Sequence, residues 1–554
     1  MKDPESNQQT LHTNTHLLQS LLDSIPQTQT FKGKWSLIKT KLISLQTLLS
    51  DLSDYTATNP LSLDLLASLS DTLSDAVSLS QTCHSPSPTN GKLKTQNDVD
   101  SVSAKLDNHI HDFEVIIRSN ILQENVVVFS SVSTSNRESV RAESRNLLTR
   151  LQIGTTESKN SVLDSLLGLL QEDDKNVLIA VAQGVVPVLV RLLDSSSSLE
   201  IKEKTVTAIA RVSTVDSSKH VLIAEGLTLL NNLLRVLESG SVFAEEKSCI
   251  ALQVLSHSKE NARAIGSRGG ISSLLEICQS GTPSSQAIAA GVLRNLAVVE
   301  EIRENFIEEN AILILLGLSG TGTVLAQENA IGCLCNLVSG DVNLKILVAR
   351  EGGIERLKNF WDSAAIVKSL EVAVQMLSNL AECQLIAEVL VLNGFLSRVF
   401  GVLNCGVLGV RIGAAKAVYD LGFNTKTRKE LGEIGCIPPL VRMLDGKAVE
   451  EKEVAAKALS NLMVYAGNRR IFRKEERGIV SAVLLLDPLI QSWDKKYYVS
   501  ILASLVHSKK CRKQMVASGA CVYLQKLVDI NVEGAKKLLD SLGRGKVWGV
   551  FARP

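Results

Sequence analysis

Aromatic residues make up only 4% of this 554-residue chain, and it holds just 11 prolines. So little proline excludes a polyproline or long linker protein, and 45% apolar content supplies a packed core instead. Charge of one sign is also lacking: 59 basic residues face 58 acidic ones, so no overall nucleic-acid signature exists. No Cys-x-x-Cys pair occurs among Cys83, Cys249, Cys278, Cys333, Cys335, Cys383, Cys405, Cys436, Cys511 and Cys521, which excludes a zinc ribbon or a redox motif and predicts reduced core thiols. The most membrane-like stretch, 385–403, carries Glu388, Asn393 and Arg398, each costly at a bilayer centre, so it reads as buried helices. The start, Met1-Lys2-Asp3-Pro4, has no basic region followed by an apolar run and no glycine at position 2, and the end is no prenylation box. These absences predict a chain without signal peptide, membrane span or lipid anchor, placed in the cytoplasm with the nucleus also open to it.

Catalytic signatures are missing as well. There is no phosphate-binding Gly-x4-Gly-Lys-Ser/Thr, no Gly-x-Ser-x-Gly and no His-Arg-Asp. His109 and His111, two apart on a helix, point to different faces and form no metal pair; like the other histidines they read as solvent-facing or locally bonded. Glu245-Glu246 and Glu450-Glu451 sit at helix starts, where negative charge favours the dipole. The expectation is no enzyme, no cofactor, no metal and no small-molecule substrate.

What the chain does have is self-similarity. Small residues that precede an apolar helix recur at 184, 226, 270, 310, 353, 394, 435, 478 and 519, with every interval between 40 and 44. A second marker runs in the same register half a period away: Arg294-Asn295-Leu296, Cys335-Asn336-Leu337, Ser378-Asn379-Leu380, Tyr419-Asp420-Leu421 and Ser460-Asn461-Leu462. Each closes a helix rich in small residues, as in Ala455-Ala456-Lys457-Ala458, which lets neighbouring helices approach closely.

Periods of 40–47 residues belong to helical solenoids. Ile437-Pro438-Pro439-Leu440-Val441-Arg442-Met443-Leu444 and Ala458-Leu459-Ser460-Asn461-Leu462 resemble the armadillo consensus. The resemblance implies an all-α fold, a right-handed armadillo superhelix of about nine units over 158–543. Before it, leucine-rich amphipathic patterns at 17–25, 37–52, 61–79 and 99–117 predict a small antiparallel helical bundle over 11–118, preceded by a flexible 1–10. A helical connection over 119–157 and a basic-aromatic tail over 544–554 complete the expected organisation. A bundle with Phe31-Lys32-Gly33-Lys34-Trp35 ahead of armadillo units is similar to plant U-box/armadillo proteins, but 119–159 is too short for a U-box, so the chain resembles a branch lacking it.

In armadillo proteins the Asn of the last helix looks into a concave groove and pairs with the backbone of an extended partner. The resemblance carries that role onto Asn295, Asn336, Asn379 and Asn461, with Asp420 at the equivalent place. Bonding within or between repeats is the competing reading of these amides. Four residues earlier stand Gly291, Gly332, Gln375, Lys416 and Lys457, where importin-alpha proteins carry tryptophan; a nuclear-localisation peptide is therefore not expected. Lys416 and Lys457 instead resemble the basic residues that catenin-type grooves offer to acidic partners.

Charge is unevenly distributed: 406–554 holds 26 basic and 14 acidic residues, or +12, which leaves −11 for 1–405. Arg469, Arg470, Arg473 and Lys474, with Lys509, Lys510, Arg512 and Lys513, form a candidate patch for anionic partners, against the plainer reading of solvated helix edges. The tail places Arg544 and Lys546 beside Trp548 and Phe551, which could cap the last unit or touch a membrane surface. The sequence thus predicts a protein-interaction scaffold or adaptor whose groove holds an extended, acidic or phosphorylated partner segment, with no nucleic acid. A substrate-recruiting part of a ubiquitin-ligase assembly and a peripheral membrane scaffold are the alternatives.

Overall fold

The computed structural model describes residues 4–53, 60–85, 92–118, 135–194, 197–364, 366–490 and 494–543. Among them every regular element is a helix. The chain forms two compact units, 1–255 and 256–554.

Unit one begins with four long helices, α1 (Pro4–Ser24), α2 (Lys32–Ser53), α3 (Pro60–Thr82) and α4 (Lys92–Arg118). Their leucines at three- and four-residue steps meet in one core: Leu18, Leu21, Trp35, Leu42, Leu69, Leu73, Leu106 and Phe113 are each no more than 1% exposed. α1 packs on α3, and α2 on α4. Polar links between helices fix the packing: Asn14 Nδ2 donates to Leu66 O at 2.7 Å, and Lys34 and Lys41 reach Asp100 and Asp107, each at 2.6 Å. His109 departs from its sequence reading. It is buried and bonds through Nε2 to Thr72 of α3 at 3.0 Å, and burial lowers its pKa, with Lys105 adding to the effect. The apolar face of α4, with Val99, Val102, Leu106 and Phe113, lies against α2 and α3 at once, which draws the imidazole inside.

α5 (Ser135–Ile153) follows, and from there the helices become short and regular. The repeat markers acquire a physical meaning here. Residues 184, 226, 269, 352, 394, 435 and 519 are glycines with φ between 57° and 110°, and Asn310 sits at φ 52°. This left-handed residue turns the chain between the first two helices of a unit, and only glycine, or less readily asparagine, adopts it without strain. In the pairs Gly269-Gly270 and Gly352-Gly353 it is the first glycine that turns, one place before the sequence marker. Arg477, with φ −86°, makes the corresponding turn without a left-handed residue.

The stretch 385–403 is two helices, Gln384–Leu392 and Phe395–Val402, bent by 88° across Gly394. Ile386, Ala387, Leu390 and Phe395 are buried in it. No single helix among the described residues is long and apolar enough to cross a membrane.

In unit two, the third helices of successive repeats are α6 (Pro283–Leu296), α7 (Val324–Val338), α8 (Val367–Ala381), α9 (Leu408–Leu421) and α11 (Val449–Leu462). They stack in that order. Two begin at a repeated Gly-Thr, where Thr282 and Thr323 cap the helix by accepting from Ser285 N at 3.1 Å and Ala326 N at 3.3 Å. Short outer helices accompany them: α10 (Thr425–Ile434) lies between α9 and α11, and α12 (Ala466–Phe472) and α13 (Lys509–Ala517) follow α11.

Candidate partner-binding groove

The helices that close each repeat present their small residues to one another. Ala289, Ala290 and Gly291 of α6, Ala330 and Cys333 of α7, Ala414 and Ala415 of α9, and Ala455 and Ala456 of α11 are buried at these contacts. Close approach brings side-chain amides of one repeat within reach of the backbone of the previous one. Asn329 Nδ2 donates to Ala287 O at 2.9 Å, Asn336 Nδ2 to Arg294 O at 3.0 Å and Asn379 Nδ2 to Cys335 O at 3.0 Å. Asn461 Nδ2 reaches both Tyr419 O at 2.7 Å and Gly422 O at 3.0 Å, while its Oδ1 accepts from Arg428 Nε at 2.8 Å. Asn295 Nδ2 donates to Ser256 Oγ at 2.9 Å. The four asparagines assigned to the groove thus each spend a donor on the preceding repeat, and all four stay part-exposed.

An open concavity of about 630 Å³ runs across α8, α9 and α11. Asn379, Lys416, Asp420 and Lys457 line it, so four of the seven groove residues meet there; Asn295, Asn336 and Asn461 do not line it. Neither lysine is unengaged. Lys416 Nζ pairs with Glu450 at 2.8 Å, and Lys457 Nζ lies 4.2 Å from the centre of the Tyr419 ring. Glu371, Glu382 and Glu450 join Asp420 in the lining, so carboxylates outnumber ammonium groups by four to two. Asp420 has its pKa pushed up to about 6; burial is the main cause, Lys457 and Lys345 oppose it and Glu382 adds to it.

A second charged device lies toward α6. Glu328 of α7 is 2% exposed, accepts from Ser369 Oγ at 2.8 Å, and faces Arg294 at 3.9 Å and Lys368 at 3.6 Å. Gly332 makes room for it: a Cβ there would lie 2.4 Å from Arg294 Nε. Reading positions eight before the asparagine, as well as four before, finds Glu328 and Glu371 in register from sequence. Tyr419 and Glu450 carry no such periodic signal.

The outer basic residues are disposed differently. Arg469 donates from Nε to Met463 O and from a terminal nitrogen to Val464 O, both at 2.8 Å, and Arg512 donates to Val506 O. Arg470, Arg473, Lys474, Lys509, Lys510 and Lys513 are all exposed or part-exposed. Among the described residues none of these eight makes an ion pair. The tail residues Arg544, Lys546, Trp548 and Phe551 lie outside the described residues, as do 1–3, 86–91 and 119–134.

A family model for the armadillo/beta-catenin-like repeat matches residues 173–214. Residues 173–214 are an armadillo repeat, and the repeats after it share its fold. A second family model, described as a domain of unknown function (DUF7032), matches 12–121, the span of α1–α4 ahead of the armadillo array. The armadillo architecture is similar to that of an engineered protein solved by the Northeast Structural Genomics Consortium, with TM-score 0.61 and 21% identity over 73% of this chain and 98% of that one. A designed armadillo repeat protein aligns at 20% identity and TM-score 0.40 over 42% of this chain and 99% of that one. No curated protein matches significantly.

Proposed function

We propose that the chain is a non-enzymatic scaffold whose armadillo groove holds an extended segment of a partner protein. The observation that carries this reading is the concavity across α8, α9 and α11. It is open, polar and lined by side chains from three consecutive repeats, which suits a strand laid along the stack better than a compact small molecule. Among the described residues no three His, Cys, Asp or Glu side chains converge as metal ligands.

The ladder amides contribute what remains of their hydrogen-bonding capacity after bonding to the previous repeat. Asn336 keeps an amide N–H and an Oδ1 for which no partner is found among the described residues, and Asn379, whose Nδ2 also donates to Cys335 Sγ at 3.3 Å, keeps its Oδ1. Recognition is therefore backbone-directed. With Lys416 tied to Glu450 and carboxylates in the majority, the segment lying over this part of the groove is read by polar contacts rather than by acidic side chains.

A photo-crosslinking residue at exposed Gln375, beside the same residue at Leu392 on an outer helix, tests the proposal on peptides selected from a random linear library. Crosslinks from 375 and a tenfold or greater loss of binding in Gln375→Trp are expected. Crosslinks from 392 alone, with Gln375→Trp binding normally, would overturn it.

A further inference from the structure

The groove lysines are engaged, whereas the eight outer-edge cations make no ion pair among the described residues. That difference is a physical clue, because eight basic groups on corresponding elements of successive repeats, none ion-paired among the described residues, maintain a local excess of positive charge. α12 and the two residues after it carry Arg469, Arg470, Arg473 and Lys474; α13 carries Lys509, Lys510, Arg512 and Lys513; neither helix contains an acidic residue. Glu475 and Glu476 follow α12, α10 beside it carries Glu430 and Glu433, the latter paired with Lys429 at 3.8 Å, and Asp445 pairs with Arg477 at 3.7 Å.

α12 packs against α10, and α13 is tied to the turn that follows α12. Asn468 Nδ2 of α12 donates to Arg428 O of α10 at 2.8 Å, and Gln514 Nε2 of α13 donates to Glu476 O at 3.4 Å. The two arginines nearest the helix starts occupy the same register, 43 residues apart, and each is clamped by a carbonyl six residues earlier. Their guanidinium planes are thereby set in advance while further N–H donors remain, which lowers the entropy lost on binding an oxyanion in a fork geometry.

We infer that α12 and α13 form a docking edge for a phosphorylated segment of a partner protein, separate from the groove. An extended chain rises roughly 3.3 Å per residue, so phosphoserines three residues apart stand roughly 10 Å apart along it and can meet successive cations of this edge. Neither helix exposes a large apolar side chain that could enter a bilayer, and Phe472, the sole aromatic residue on them, is fully buried and cannot stack on a base. A polypeptide carrying doubly charged groups at that spacing is the occupant these features fit. This inference does not depend on the groove reading.

The test uses the full chain and a fluorescein-labelled synthetic peptide with phosphoserine at positions i, i+3 and i+6, beside its unphosphorylated twin. Phosphatidylserine vesicles and a single-stranded oligonucleotide serve as competitors. The phosphopeptide is expected to bind at least tenfold more tightly than its twin in 0.15 M salt. The quadruple variant Arg470→Glu, Lys474→Glu, Lys510→Glu, Lys513→Glu should lose at least thirtyfold with unchanged helical circular dichroism, because none of the four side chains is bonded to another described residue. Gln375→Trp should bind the phosphopeptide normally. Equal binding of both peptides, retention by the quadruple variant, loss in Gln375→Trp, or displacement by vesicles or oligonucleotide at lower charge concentration than the unlabelled phosphopeptide would each overturn the inference.

Discussion

The amino-terminal bundle and the armadillo array are both helical, yet their helices are held by opposite means. In the bundle, long helices bury large side chains in one shared core, and Trp35 is completely enclosed by residues far away in sequence. In the array, helices of 6–17 residues bury alanine and glycine, and amides reach back about one period to the previous unit: 42 residues for Asn336, 44 for Asn379 and 42 for Asn461. The first arrangement has one centre, and the second has an interface repeated many times. Damage should therefore be global in one region and local in the other.

Trp35→Ala should have the largest effect. Emptying the largest fully buried side chain of the bundle costs about 3–5 kcal/mol. In urea, a helical transition separate from that of the array should move to lower denaturant, while the array keeps its midpoint. One common transition shifted as a whole would show that the two regions melt together and would erase the contrast.

Gly432→Ala probes a single interface. A Cβ at this site would sit 1.8 Å from Oδ1 of Asn468, which is held by Arg428 O and Leu462 O and cannot retreat. A loss of about 2 kcal/mol is expected, with hydrogen exchange accelerated around α10 and α12 and unchanged in α6. Asn461→Ala comes next, at about 1–2 kcal/mol, since it leaves Tyr419 O and Gly422 O without their donor. A loss of protection spread evenly over the array would count against local damage.

These features were unequally legible in the sequence. The period, the helix that closes each unit and the ladder asparagines could be read because the same residue type returns at the same place. The left-handed turn was legible to within one residue, and Asn310 fitted because asparagine tolerates the backbone glycine prefers. The enclosure of His109 was not legible, since it depends on Thr72 of another helix and no repeat announces it. Nor was the pairing of Lys416 with Glu450, whose partner lies 34 residues on, less than a full period. The basic edge was visible as charge runs; that those charges make no ion pair among the described residues required the packing.

Asp420 offers the finest test, because it occupies an asparagine position in the ladder. Its raised pKa, about 6 against an ordinary 3.8, means that the folded chain holds the proton more tightly than the unfolded one. Stability falls as pH rises from about 4 to about 6, and the ionised carboxylate is a liability above that range. Asp420→Asn should stabilise the array by roughly 1 kcal/mol at pH 7–8, allowing for solvent screening, and the gain should vanish near pH 4. Thermal melts at the two pH values decide it; a gain independent of pH would place the benefit in packing instead.

Amides that reach back one period have a further consequence for the length of the protein. Each junction asks only that its neighbour stand in the same phase, so a segment excised or duplicated between equivalent points of adjacent repeats returns every amide to a carbonyl of the right kind. An excision of half a period would set donors against side chains built for another surface. The array can thus be lengthened or shortened in steps of about 42 residues, and the groove with it, whereas the bundle, having a single centre, offers no such place to cut.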